Sequence, residues 1–198
     1  MKKEVKATQG STPQNTSPLL MLFIGVVCIG ICLSLIAPYL FGNRKYERIV
    51  SAVAPVVGGE GVLAAATYNS GTDGPHPIVI LWGDGSNHPW NWKLPRKWFP
   101  SSPRKIELVA LLNHEQPVAL ETCYYLSTTV TRYRNDLSVI VREARTGHTL
   151  ANSTLRGYEP MNCPESIPMD QTRIDGPQVE LEAVVEWLCP FVQASDCP

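Results

Sequence analysis

The chain of 198 residues has a formal net charge of -1, with 18% charged and 44% hydrophobic residues. This composition argues against a disordered protein, and it offers no basic excess of the kind that binds nucleic acid. The length allows one ordinary domain with additional segments, and the 17 prolines favour short strands and irregular connections over a helical bundle.

The N-terminal part of the chain predicts a membrane anchor. Residues 1–17 are polar and predict a disordered cytoplasmic tail. Residues 18–42 are uncharged and mostly apolar, and as a helix they would be long enough to cross a hydrocarbon core of roughly 30 Å. A cleaved signal peptide has a shorter apolar region and a small-residue cleavage site. We therefore predict an uncleaved transmembrane helix, with the lipid bilayer as its partner.

Cysteine usage decides the predicted orientation, because the basic residues on the two sides of the apolar segment balance. Cys123, Cys163, Cys189 and Cys197 lie in the C-terminal part of the chain. An even set in a loop-rich domain favours disulfides and an oxidising compartment, with buried free thiols and a metal site as alternatives. No C-x-x-C pair is present, which argues against metal. The large domain is therefore expected to be extracytoplasmic.

Four cysteines allow three pairings. Of these we expect Cys123 with Cys163, and Cys189 with Cys197. The second bridge would tie the C-terminus to the end of the last helix, which would explain a cysteine at the penultimate position.

The rest of the chain predicts an α+β fold. Residues 43–60 predict a juxtamembrane helix or linker, because apolar side chains recur at helical spacing before a group of glycines. Residues 61–198 predict a mostly antiparallel β domain, in which short apolar runs alternate with turns and Gly147 suits a hairpin. Apolar residues at helical spacing predict a C-terminal helix over residues 181–192.

Three tryptophans in one short segment raise the question of a binding surface. Trp90, Trp92 and Trp98 lie between Asp84 and Pro100. Large aromatic side chains either fill a core or stack on ligands such as carbohydrates. Because the domain has few other large core residues, we expect a packed loop over the sheet, with Trp98 the most buried. Trp90 and Trp92 are the candidate ligand-binding residues if the alternative holds.

Two arginines form a second candidate site. Arg132 and Arg134 alternate with Tyr133, so on a strand they would share one face and could bind an anion. The alternative is a solvated strand face with cross-strand partners such as Glu143. The histidines are scattered, and no nucleophile, phosphate-binding or metal-binding motif occurs. We therefore predict no catalytic residues, no metal, no cofactor and no enzyme activity.

Four short motifs in order add a resemblance. They are LPxxW (residues 94–98), RYR (residues 132–134), EARTG (residues 143–147) and GxxPxxCP (residues 157–164). As a set they resemble uncharacterised bacterial extracytoplasmic domains, which are often carried behind a single membrane anchor. Similar domains are expected to hold a cysteine near residues 111–112, where this chain has leucines. The resemblance covers about residues 75–192 and implies no known activity.

The functional prediction is a single-pass, membrane-anchored extracytoplasmic module that binds a ligand or a partner. The alternative is a structural or assembly subunit of the cell envelope without a small ligand, and an enzyme comes third. A protein partner in the cell envelope is compatible with both the binding module and the assembly subunit.

Overall fold

The computed structural model describes residues 46–126, 128–168, 170–195 and 197. In this part of the chain six strands precede a C-terminal helix, Leu181–Val192. The strands are β1 (Ile78–Trp82), β2 (Leu108–Leu112), β3 (Gln116–Tyr124), β4 (Thr129–Glu143), β5 (Thr149–Leu155) and β6 (Arg173–Asp175). Shorter helical turns cover residues 46–51, Ala54–Gly58, Pro89–Trp92 and Pro103–Lys105.

The long strand β4 organises the sheet. Its C-terminal half pairs antiparallel with β2 and β5, and its N-terminal half pairs antiparallel with β3 and parallel with β6. Strand β1 adds to β2 in parallel register, from Ile78 beside Leu108 to Trp82 beside Leu112. Gly147, in the turn between β4 and β5, has a φ of 74°, as expected for the hairpin.

The predicted fold class is wrong. The sheet is mixed rather than mostly antiparallel, because residues 83–107 form a long crossover that returns the chain so that β2 runs in the direction of β1. Within the described residues, no helix combines the length and the apolar character that crossing a bilayer requires. The segment for which a transmembrane helix was predicted, residues 18–42, and the predicted tail, residues 1–17, lie outside the described part of the chain.

Two apolar clusters cover the two faces of β1 and β2, which explains why both strands read as unbroken apolar runs. On one face the alternate residues of β1 and β2 pack against Trp98 and against Val184, Leu188 and Val192 of the C-terminal helix. The prediction that Trp98 is the most buried tryptophan of its segment is confirmed, since its exposed fraction is 0%.

The opposite face is covered by residues that follow the N-terminal apolar segment. Tyr46, Ile49, Val50 and Val53 project from the first helical turns and pack against Val79 and other residues of that face. The helical spacing of these residues is as expected. Their partner is the domain's own sheet, so residues 46–58 contribute to its core.

Both predicted disulfides are present. Cys123 in β3 is bonded to Cys163, with 5.8 Å between their Cα atoms, and Cys189 in the C-terminal helix is bonded to Cys197, with 5.7 Å between theirs. The first bridge fixes the loop that follows β5 to the edge strand β3. Such bonds persist in oxidising compartments, so the domain belongs to an extracytoplasmic environment.

Candidate ligand-binding cleft

A bulge in the ladder beside β4 creates the cleft. The last pairing of β2 is Leu112 with Val139, and the first pairing of β3 is Gln116 with Asp136. Three residues, 113–115, therefore face two residues of β4, and the strand bends out of the sheet. This bulge brings His114 and Glu115 to the lining of one cleft, beside the carboxyl end of β1. The cleft has a volume of about 690 Å³.

Four aromatic rings form a row along one wall of the cleft. The ring centroids are 4.9 Å apart between His114 and Trp82, 4.0 Å between Trp82 and His88, and 4.6 Å between His88 and Trp90. The two end rings come from different strand connections, so the row exists only in the folded domain. It presents an apolar, polarisable surface on which a flat ligand face can stack.

The row is held in place by Asn91, which is buried and lies between two tryptophans in the sequence. Its side chain accepts a hydrogen bond from the Ile80 N–H at 2.8 Å and donates one to the Ile80 carbonyl at 2.5 Å. These are bonds that a further strand would make at the open edge of β1. Asn91 thereby ties the segment Pro89–Trp92 to the sheet and sets the position of Trp90.

His88 serves the same segment as a neutral side chain. Its Nδ1 accepts a hydrogen bond from the Trp90 N–H at 3.2 Å, which leaves the proton of the neutral imidazole on Nε2. Burial lowers the pKa of His88 to about 4, so the ring is uncharged at neutral pH. Its place between Trp82 and Trp90 therefore adds no charge to the aromatic wall.

Another part of the cleft wall is polar. Arg173 and Asp175 of β6 form a bidentate ion pair with contacts of 2.6–2.8 Å, and the Arg173 guanidinium also lies 4.3 Å from the centre of the Tyr133 ring. The Arg173 side chain lowers the pKa of Asp175 by its hydrogen bonds. Asn135 and Gln178 add amide groups to this wall. Together they provide donors and acceptors around the aromatic row.

Glu115 lies on the bulge and is half-buried. Its Oε1 accepts a hydrogen bond from the Val179 N–H at 3.0 Å, just before the C-terminal helix. Burial raises the pKa of Glu115, although its hydrogen bonds to Val179 and Gln178 act in the opposite direction. One carboxylate oxygen is thus used to hold the cleft together.

The structure separates the two candidate tryptophans. Trp90 lines the cleft, whereas Trp92 stacks on Tyr46 with a centroid distance of 3.8 Å and packs beside the cluster on the other face of the sheet. The two positions have the same parity along the chain, but the segment is a 3-10 turn rather than a strand. Successive side chains of that turn do not alternate between two faces, and the two indoles reach different surfaces.

The candidate arginines share one face of β4, as expected, but both are engaged inside the protein. Arg132 pairs with Glu121 on β3 and donates to the Pro160 carbonyl at 2.6 Å. Arg134 forms two bonds with Asp136, at 2.6 and 2.8 Å, and lowers the pKa of that carboxyl. The loop after β5 covers this face, so it is not the solvated face considered as the alternative. Arg132 holds the loop directly through the Pro160 carbonyl, and Arg134 acts through Asp136, which accepts a bond from the Gly157 N–H at 3.0 Å.

Sequence reasoning missed His88, His114, Glu115, Arg173 and Asp175 as residues of one cleft. The adjacent pair His114 and Glu115 carried a usable signal, because it belongs to three polar residues, 113–115, that directly follow the buried run of β2. On a regular strand they would point to opposite faces. The bulge removes that constraint.

Metal binding has little support in the described residues. The acid, thiol and imidazole groups that come within ligand distance of one another there are Glu121, Cys123 and Cys163. Both sulfurs belong to the disulfide and are not available as thiolate ligands.

Comparison of the chain with protein-family models, with curated proteins and with solved structures finds no match.

Proposed function

We propose that this domain is an extracytoplasmic binding module, that its ligand is a neutral saccharide, and that the cleft is the binding site. The observation that carries the proposal is the row of four rings, His114, Trp82, His88 and Trp90, in a cleft that polar side chains also line. A sugar ring has an apolar face that stacks on aromatic rings and hydroxyl groups at its edge that pair with carboxylate, amide and guanidinium groups.

The size and charge of the cleft agree with this ligand class. A volume of about 690 Å³ falls within the range of roughly 300–1,000 Å³ that is usual for small-molecule sites. Arg173 and Asp175 neutralise each other, and His88 is uncharged, so these groups do not favour an ionic ligand. Binding rather than turnover is supported because both Asp175 oxygens accept bonds from Arg173 and Glu115 accepts one from Val179.

Attachment to the cell membrane is part of the proposal. The uncharged apolar run of residues 19–41 supports it, and it would keep the module near the envelope polysaccharides of a cell surface. Carbonate extraction of cell membranes tests this part: a protein held by the apolar run stays in the membrane pellet, and release into the supernatant contradicts attachment.

The ligand itself is tested with two tryptophan variants that are matched in chemistry and two residues apart. Intrinsic fluorescence of the full-length protein in detergent is titrated with a panel of neutral oligosaccharides. Trp90→Ala should abolish the response, whereas Trp92→Ala should bind like the wild-type protein because Trp92 lies outside the cleft. A saccharide response that survives Trp90→Ala, or no response from any member of the panel, contradicts the proposal.

A second candidate is an assembly subunit of the envelope, and one exposed surface favours it. Tyr124 and Leu126, at the tip of the β3–β4 hairpin, are 82% and 110% exposed, and they border a second cleft of about 570 Å³. Exposed apolar groups of this kind are typical of protein contacts. Crosslinking in intact cells from position 126 distinguishes this function, since a saccharide module without a partner gives no crosslinked protein.

A further inference from the structure

We infer that a second surface, separate from the cleft, binds the anionic headgroups of a lipid bilayer. We call it the basic surface; it consists of Trp92, Lys93, Arg96, Lys97, Arg104 and Lys105. The inference goes beyond the saccharide site and shares no residue with it. It rests on the proposed membrane attachment.

The first observation is a concentration of unpaired positive charge. No acidic residue occurs between Asp84 and Glu107, and the chain carries five basic residues there. All five are exposed. None of them forms an ion pair with a residue in the described part of the chain, although the arginines at positions 132, 134 and 173 do. A net charge of -1 for the whole chain makes this local excess distinctive.

Short turns hold these charges at the edge of the two buried clusters. The Trp98 N–H bonds to the Pro95 carbonyl at 2.9 Å, so Arg96 and Lys97 occupy the two central positions of a tight turn. That turn leads into Phe99, and the 3-10 turn Pro103–Lys105 leads into Ile106. Phe99 and Ile106 both pack in the cluster that contains Tyr46. The charges therefore lie on short segments whose ends are buried, Trp98 in the cluster with the C-terminal helix and Phe99 and Ile106 in the other.

An exposed aromatic ring directly precedes these charges in the chain. Trp92 is 56% exposed and stacks on Tyr46 at 3.8 Å, and Tyr46 stacks on Phe99 at 4.4 Å. One indole face is thus fixed by the stack while much of the side chain remains open to the surroundings. Tryptophan beside lysine and arginine is the combination found at the headgroup level of membranes. Glu47 and Arg48, both exposed beside Tyr46, offset each other.

Chain connectivity brings this surface to the membrane. Four residues, 42–45, separate the apolar run that ends at Phe41 from Tyr46. From Phe41 to Tyr46, five residue steps of at most about 3.6 Å cover at most ~18 Å. A domain attached through that run must keep the Tyr46–Trp92 stack within this distance of the bilayer. The basic surface then faces anionic lipid, where each lysine or arginine strengthens binding about fivefold.

The test uses the full-length protein with vesicles of phosphatidylcholine alone, or with 30% phosphatidylglycerol. Flotation of the vesicles measures attachment. Acetylation of Lys93, Lys97 and Lys105, followed by mass spectrometry, measures contact of the basic surface. We expect flotation with both compositions and at least fivefold slower acetylation in anionic vesicles. Brominated lipid should quench the tryptophan fluorescence of the wild-type protein more than that of Trp92→Phe. This difference would identify Trp92 as the tryptophan that contacts lipid.

A charge-reversed variant and a matched control complete the experiment. Arg96→Glu combined with Lys97→Glu should restore acetylation at Lys93 and Lys105, whereas Arg156→Glu, an exposed position outside the basic surface, should not. Flotation with equal acetylation in both compositions overturns the headgroup inference while leaving attachment intact. Failure to float on either vesicle overturns both. Protection by soluble polyphosphate in neutral vesicles, without protection by anionic lipid, assigns the surface to a soluble polyanion and also overturns the inference.

Discussion

Asn91 and Ile80 exchange two hydrogen bonds, at 2.8 and 2.5 Å, so that one side chain completes the edge of β1 in place of another strand. Through this contact the tryptophan segment is attached to the sheet. Asn91→Ala would leave the Ile80 N–H buried without a partner, at about 1–3 kcal/mol. The Ile80 carbonyl would keep only the long bond from the His88 N–H at 3.4 Å. We expect denaturant unfolding to show a loss of about 1–3 kcal/mol.

The same substitution should weaken saccharide binding, because Trp90 would lose its support. Asn87→Ala is the matched control, since the Asn87 side chain contacts Asn91 at 2.9 Å but makes neither bond to Ile80. An Asn91→Ala protein as stable as the wild type would show that the two bonds do not hold the segment.

His114 is exposed and stacks on Trp82 at 4.9 Å. Removing its ring by His114→Ala should cost about 0.5–1.5 kcal/mol of stacking energy, which corresponds to roughly two- to twelvefold weaker saccharide binding. Because the side chain is exposed, the free energy of unfolding should change by no more than about 0.5 kcal/mol. Calorimetric titration and thermal melts of the same preparation measure the two effects. Unchanged affinity would remove His114 from the site.

Replacing Trp98 and replacing Trp92 should lower the stability of the domain to different extents. Trp98 is fully buried among residues of the sheet and the C-terminal helix, so Trp98→Ala should cost about 3–5 kcal/mol. Trp92 is more than half exposed, and Trp92→Ala should cost clearly less. Chemical denaturation monitored by circular dichroism gives both values. Equal losses would mean that the exposed stack on Tyr46 carries more of the core than its burial indicates.

The buried His88 predicts a pH dependence. Its pKa in the folded protein, about 4, is below the value of about 6.5 for an unfolded chain. The unfolded state therefore takes up the proton first, and the stability present above pH 6.5 is lost as the pH falls towards 4, by roughly 3 kcal/mol for this group. His88→Asn keeps an acceptor for the Trp90 N–H without titrating. The difference in unfolding free energy between the wild-type protein and His88→Asn should change between about pH 6.5 and pH 4 and stay constant above pH 6.5. A difference that is constant over the whole pH range would be inconsistent with a buried neutral imidazole.

The two disulfides should contribute unequally. With sequence separations of 40 and 8 residues, the chain-entropy model assigns about 4 kcal/mol to Cys123–Cys163 and about 2.5 kcal/mol to Cys189–Cys197. Paired serine substitutions, compared by urea unfolding without reductant, measure these contributions. We expect the first double variant to be the less stable one. The reverse order would indicate that the loop after β5 is held mainly by Arg132 and Arg134.

Several features follow from the sequence because the interactions behind them are local or nearly so. The apolar spacing of residues 181–192 predicts the C-terminal helix, since side chains three and four positions apart share a face. Gly147 predicts the hairpin turn because it accepts positive φ without strain. The cysteine pairs and the burial of Trp98 also follow, the first from compartment and chain order and the second from the need to pack a large side chain in a small domain.

Tertiary structure alone decided the direction of β2, the formation of the cleft and the burial of Arg132 and Arg134. Short apolar runs look alike in parallel and antiparallel pairs, so the crossover over residues 83–107 was not visible in the pattern. The bulge at residues 113–115 depends on a mismatch of one residue between two distant strands, and it brings His114 to Trp82. Arg132 and Arg134 are buried because the loop after β5 folds over β4, where the Pro160 carbonyl accepts a bond from Arg132 and Asp136 accepts one from the Gly157 N–H. Each of these outcomes is set by contacts between residues far apart in the chain, whose geometry no local spacing contains.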